Sequence, residues 1–411
     1  VTQKNHPPPW IFAILCLPMG TFWGFITTAM PFLLRKQGIA VEQIASISAL
    51  TGIAQIVYVV WSPIADMIFT RRMWVLLLSL VSAAMLFVAV MLPVPQYLTL
   101  YAALLIVGNA VNTSTSIASG GLMAVLTHET LQGKAGGWYQ AGNLGGGALA
   151  GGICIWLSTR VPDWQLATAA AAMVFVPSLA VLLVEEAPRD LSPNLALFTT
   201  MFHNLRDLMK QHATWLGFLF FLSPLGAAAL GTLFSGVGVD YHASAKVVVL
   251  VTGVGGAICT AIGSVLGGHL CDHMDRRHAY ILSGGLSAVV SGAMLFARTS
   301  PMVFAVGASA YLVIAGFSYA AYNALSLELT ARDACTGGTR FSLFGAAANA
   351  PVAYMTWLDG QGHKLWGVRG LLGVDTVGSV VGVAGMLVIM YWMLRRSPAA
   401  VTHPASSFIS S

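Results

Sequence analysis

The residues able to do charge-based chemistry are few in this chain, and the most orderly of them form a cluster that occurs twice. Trp61-Ser62-Pro63-Ile64-Ala65-Asp66 is followed by Arg71-Arg72, and Gly268-His269-Leu270-Cys271-Asp272 is followed by Arg276-Arg277. Asp66 and Asp272 stand 206 residues apart in a chain of 411. Each acid closes one apolar run, and each arginine pair opens the next. An acid at a helix end can pair with arginines and helix termini in one conformation and release them in another, which is the chemistry of a gate. The gating candidates are Asp66, Arg71, Arg72, Gly268, Asp272, Arg276 and Arg277. The competing reading is that these charges only mark membrane-edge turns.

Two polar stripes are the second feature. Tyr319, Tyr322, Asn323 and Ser326 fall at i, i+3, i+4 and i+7, which places them on one helix face. Asn109, Asn112, Thr113 and Ser116 form a similar stripe in the first half, and Thr113 and Ser116 map onto Tyr319 and Tyr322 by the same 206-residue shift. Polar groups inside hydrocarbon need partners or water, so these faces are expected to line an aqueous substrate cavity. Interhelical hydrogen bonding without a ligand is the alternative. Trp23, Tyr139 and Asn143 join the cavity candidates, followed by Thr21, Thr28, Gln55, Tyr58, Asn349 and Tyr354.

No Asp, Glu, Lys, Arg or His is expected near the middle of a span. Asp240 and Glu328, close to span ends, are the candidates for coupling to protons, with uniport left open. No His, Asp and Cys constellation converges into a catalytic set, and neither metal ligands nor a cofactor site can be read. The five cysteines (Cys16, Cys154, Cys259, Cys271, Cys335) lack paired spacing.

The elements that must hold these residues are helices in lipid. The chain is 57% hydrophobic and 9% charged, against about 25% charged in soluble domains. Mean hydropathy is +0.77. Runs of roughly 20 apolar residues are long enough to span a bilayer. They fall at 10–34, 41–65, 73–92, 97–127, 138–159, 164–185, 214–238, 245–270, 278–297, 301–327, 338–358 and 370–394. The first is read as a retained span and not a signal peptide. Placing both termini in the cytoplasm puts 13 of the 20 Lys and Arg inside and 7 outside, in line with the positive-inside bias. The +5 net charge is therefore read as topology, with no nucleic-acid partner.

The expectation is an all-α membrane protein of twelve transmembrane helices in two pseudo-symmetric six-helix bundles, 1–185 and 214–396. A cytoplasmic linker over 186–213 holds an amphipathic helix from Leu195 to Gln211, and 397–411 is a disordered tail. Glycines 142, 145, 146, 147, 151 and 152 at four-residue spacings suit close helix packing. They also bear on an efflux signature, although that signature has a proline which is absent here.

The Asp and Arg turns resemble the signature of the major facilitator superfamily, a Gly-x-Leu-x-Asp followed by an Arg-rich turn. The second copy fits closely, while the first has Ser62 and Ile64 at the Gly and Leu positions. Trp61 to Asp66 with Arg71, Arg72 and Trp74, and Gly338-Thr339-Arg340-Phe341-Ser342-Leu343-Phe344, are similar to the branch of muropeptide permeases, acetyl-CoA transporters and some siderophore importers. An Asp-Ile-Ala-x-Asp element of that branch is replaced here by Ser116-Ile117-Ala118-Ser119-Gly120. The resemblance implies a monomeric inner-membrane permease working by alternating access. It would take up a polar or amphipathic organic solute, muropeptide-like or siderophore-like, by symport, with the lipid bilayer and protons as its other partners. Efflux by proton antiport is the alternative. Replacing Asp66 or Asp272 by Asn is expected to slow conformational cycling while leaving solute affinity intact, measured as flux against equilibrium binding. Weakened affinity at unchanged cycling would contradict the gating role.

Overall fold

The computed structural model describes residues 7–61, 69–127, 141–186, 212–330 and 337–396. It also describes Ala135, Trp138, Tyr139, His203, Arg206, Asp207 and Lys210. The described residues are helix and turn, without strands. In chain order the helices are α1 (Ile11–Lys36), α2 (Val41–Trp61), α3 (Arg71–Met91), α4 (Val94–Leu126), α5 (141–158) and α6 (Asp163–Leu183) in the first half. The second half holds α7 (212–241, in pieces), α8 (245–273), α9 (Arg276–Phe296) and α10 (Pro301–Thr330). A last stretch, Gly337–Arg396, leaves helical geometry at Trp366 and Gly367, and its two arms are α11 and α12. Among the described residues, eight helical stretches are long and apolar enough to cross a membrane. Many apolar side chains face outward, Phe296, Met302, Leu183 and Val265 among them, as lipid-facing positions require.

Helix contacts repeat between the halves. Asn109 on α4 donates to the Thr51 carbonyl on α2 at 2.8 Å, and Ser264 on α8 donates to the Gly316 carbonyl on α10 at 3.1 Å. Arg72 on α3 reaches the Leu182 carbonyl on α6, and Thr376 on α12 donates to Ser291 on α9. Between the halves, α2 meets α11, α5 meets α8 through Gly152 and Gly253, and α1 meets α7 through Pro31 and Gly236.

The glycine run of α5 packs against α1. A Cβ on Gly142 would meet the Ala13 carbonyl, one on Gly24 the Gly147 backbone, and one on Gly151 Thr28 and the Gly24 carbonyl. Backbones this close are held by dispersion and short polar contacts, because lipid gives no hydrophobic drive between helices. The run therefore has a packing role.

α7 departs from the continuous helix expected over 214–238. Helix ends at Leu222 and resumes at Ala229, with Ser223 and Pro224 at the break and left-handed φ at Gly226 (72°) and Ala228 (51°). Proline cannot donate the missing ladder bond. The freed carbonyls find other donors: Tyr354 on α11 donates to Leu222 at 2.9 Å and Tyr280 on α9 donates to Leu225 at 2.8 Å. α1, α5 and α8 each contain a wide π-helical turn, at Phe25–Ala29, Ala141–Gly145 and Val249–Val254.

Most of the expected amphipathic linker helix lies outside the described residues, as does the 397–411 tail. Within the linker, His203, Arg206, Asp207 and Lys210 are exposed, and Lys210 pairs with Asp207 at 2.8 Å. Gly24→Ala is expected to destabilise the purified protein by about 1–3 kcal/mol through overpacking. Gly145→Ala, whose Cβ meets open space, should leave the unfolding temperature unchanged. Equal losses in both variants would refute the α1–α5 packing account.

Candidate functional site

A small cavity lies between the halves. Trp23, Ile26 and Thr27 of α1 and Ser48, Gly52 and Gln55 of α2 line one side; Thr232 of α7 and Asn349, Ala353 and Thr356 of α11 line the other. It leaves about 10 Å³ for the centre of a water-sized sphere, roughly the room of a single water. Asn349 Nδ2 donates to the Gln55 carbonyl at 3.3 Å, tying the halves at one edge, and Thr232 and Thr356 share a hydroxyl contact at 3.2 Å. The π-helical turn at Phe25–Ala29 places Ile26 and Thr27 on this wall. Such turns recur at functional sites because they widen the helix and re-aim side chains.

One end of the interface is closed by charge. Arg35 Nη2, at the end of α1, donates to Asp240 Oδ1 at 2.8 Å, and His363 Nε2 of α11 lies 3.1 Å from Asp240 Oδ2. Asp240 thus joins the two halves, in a turn beyond the apolar part of α7. Burial opposes its charge, but the hydrogen bond from His363 and the charge and hydrogen bond of Arg35 outweigh it. The carboxyl is held below its ordinary value of 3.8. This expected coupling acid is engaged as a clasp.

The sequence-expected cavity residues are distributed differently. Trp23 lines the cavity. Asn109 and Asn112 are buried and bridge helices instead, Asn109 to Thr51 on α2 and Asn112 Nδ2 to the Met19 carbonyl on α1 at 3.5 Å. Thr113 and Ser116 bond back to their own helix, to Asn109 and Thr113. Tyr139 donates to the Ser116 carbonyl at 3.2 Å and lies 3.4 Å from Ser119 Oγ. Asn143 sits in the π-helical turn of α5, half-buried, with its backbone carbonyl against Gly20 of α1. On α10, Tyr322 packs edge-on to Phe221 with centroids 5.1 Å apart. Tyr319 lies 6.1 Å from Tyr322, Asn323 donates to the Tyr319 carbonyl, and Ser326 is buried. The cavity draws instead on Gln55 and Asn349, which sequence had ranked behind the two stripes.

Asp66 and the side chain of Asp272 at the gating turns lie outside the described residues, as does the side chain of the coupling candidate Glu328. Arg71 donates to the Gly121 carbonyl of α4 at 3.1 Å. Glu186 accepts from the backbone N–H groups of Arg71 and Arg72 at 3.3 and 3.1 Å, tying the end of α6 to the start of α3. Asp275 does the same service for α9, accepting from Arg277 at 2.9 Å and His278 at 3.3 Å. Both caps place negative charge at a helix N-terminus. An Asp directly before Arg276 is the signal by which Asp275 was readable. Arg276 and Arg277 are half-buried, and a Cβ on Gly268 would meet open space.

Two acids that the sequence reading did not single out, Asp359 and Asp375, are buried inside the protein at 0% and 3% exposed. Asp359 sits one residue past the expected eleventh span, and α11 runs on beyond it. Asp375 accepts a hydrogen bond from Tyr311 of α10 at 2.9 Å. Neither oxygen of Asp359 has a hydrogen-bond partner, nor does Oδ2 of Asp375.

Comparison with known proteins places this architecture. The family model for the Major Facilitator Superfamily matches residues 11–353. The anhydromuropeptide permease of Escherichia coli (strain K12) is 26% identical over 215 residues, 50% of this chain and 43% of the permease, so the match spans less than half of that relative. Among solved structures, a mutant of nucleoside transporter NupG superposes with a TM-score of 0.74 at 13% identity, covering 93% of this chain and 99% of that one. A D-xylose-proton symporter gives 0.69 at 14% identity over 92% and 96%. At such identities these structures share the fold alone. With its family model matched across most of its length, this multi-pass membrane chain belongs to the Major Facilitator Superfamily of transporters.

Proposed function

We propose that this chain is a secondary transporter that takes up a polar or amphipathic organic solute, muropeptide-like or siderophore-like, by proton symport across a bacterial-type inner membrane. The carrying observation is the cavity between the halves, whose polar lining comes from α1, α2, α7 and α11. Similarity to an anhydromuropeptide permease over half the chain supports the solute class, and the fold shared with a D-xylose-proton symporter supports coupling to protons.

In this reading all twelve helices cross the membrane in two six-helix bundles, a monomer with both termini in the cytoplasm. The recurring α2–α4 with α8–α10 and α3–α6 with α9–α12 pairings support the two-bundle symmetry. Alternating access then needs one end of the interface to open as the other closes. The clasp of Arg35, Asp240 and His363 closes the outer end, and the turns at Arg71 and Arg276 work the inner one. Trp23, Gln55 and Asn349 contact the solute once the cavity has widened, because the present volume is too small for one.

Thermal-shift screening of the purified protein should show stabilisation by anhydro-muropeptides or by ferric siderophores. A ligand at a hundred times its dissociation constant adds about 2.7 kcal/mol to a two-state equilibrium. Hits confined to lipophilic drugs would replace uptake by efflux. The clasp makes a separate prediction. Loss of about 1 kcal/mol through Asp240→Asn should favour opening roughly fivefold. A cysteine at Thr232 in a cysteine-free background should then label correspondingly faster with an impermeant maleimide from the Arg35 face. Because Asp240 is held below 3.8, the clasp contributes fully above that pH and is lost as pH falls through the lower folded-state value. Thermal stability should therefore drop under such acid in the wild type, by a step that Asp240→Asn lacks.

A further inference from the structure

We propose that Asp359 and Asp375 form a buried proton-binding site that holds at least one proton at neutral pH beside the clasp. The two acids come from the two arms of the last helical stretch, and water reaches neither. They interact electrostatically with each other. Three of their four oxygens have no hydrogen-bond partner, and the fourth accepts from Tyr311. A buried carboxylate without partner or counter-ion takes up a proton instead of standing charged. Two acids at one site cannot both ionise. One proton on the pair removes one of its two charges.

The surroundings favour a proton over a metal cation. The Tyr311 hydroxyl points its hydrogen at Asp375. A hard cation calls for six or more oxygens, and the two carboxyls supply four. The titratable group facing the pair from α10 is Tyr311, and α9 presents the hydroxyl of Ser291. The 229–232 turn of α7 packs against α11 with Thr232, which carries no charge. On α2, Glu42 lies against Gly360, and His363 and Arg369 stand nearer the tip of the hairpin.

The position gives the proton something to act on. Thr356, Asp359 and His363 follow one another along α11 at spacings of three and four residues, so they are neighbours on the helix. Thr356 lines the cavity and His363 holds Asp240. Gain or loss of that proton therefore acts between the solute wall and the clasp. Its part in the transport cycle rests on the symport reading above, whereas its occupancy does not.

Infrared difference spectroscopy of the purified full chain, titrated from acid to alkaline pH, tests this without any solute. The wild type should keep the C=O band of a protonated carboxyl at neutral pH, and the double variant Asp359→Asn with Asp375→Asn should lose it. Absence of the band in the wild type, or its persistence in the double variant, would overturn the proposal. Tyr311→Phe keeps both acids and covers the case in which the double variant does not fold. It should retain the band at a shifted frequency, and an unshifted band would count against the site. A band lost when sodium replaces choline would assign the pair to a monovalent cation and overturn the proton. Failed transport assays with the band intact would sink the symport reading and leave this site standing.

Discussion

Hydrocarbon offers no hydrogen-bond partner to a peptide group, and the break in α7 is where that constraint presses hardest on this chain. Ser223 to Ala228 leave helical geometry close to the cavity wall, freeing carbonyls that a continuous helix would have satisfied. Tyrosines from α9 and α11 take them up. Irregular backbone is tolerated at membrane depth only where protein or a cavity surrounds it. The break in turn supplies Thr232 to the cavity and sets the 238–241 turn that carries Asp240 to Arg35.

Close backbone approach follows from the same absence of water. Glycines on α1 and α5, and again on α8 and α10, bring helices together where a single methyl would meet a carbonyl. Gly152 and Gly253 extend this contact across the two halves. The halves therefore meet along small residues at α5–α8 and through polar side chains at α2–α11, a division that leaves one interface smooth and the other directional. Smooth contacts tolerate rocking, and directional ones fix the end state.

Much of this was legible in sequence because it depends on composition and on repetition. Apolar runs, the doubled Asp and Arg turns and the glycine spacing are local signals, and the described helices other than α7 follow the apolar runs. The cavity was harder to read. Asn109 and Asn112 have the right spacing for a polar wall, yet their partners are backbone carbonyls of Thr51 and Met19, far away in sequence. Gln55 and Asn349 look like isolated polar residues until α2 and α11 are brought together. Asp359 and Asp375 escaped for a different reason. Hydropathy averages over a window, so neither acid stood out, and the partner of Asp375, Tyr311, is 64 residues away from it.

The tie between Asn349 and Gln55 ends on a main-chain oxygen, not on the glutamine side chain. Thr51, Leu222 and Leu225 are gripped in the same way, by carbonyls that every amino acid possesses. Each of these contacts thus depends on one residue identity and not on two. The Gln55 side chain, which faces the cavity, is released from any duty in holding the halves together. Within this scaffold the lining can drift toward a new solute without loosening the joint that the same residue supports.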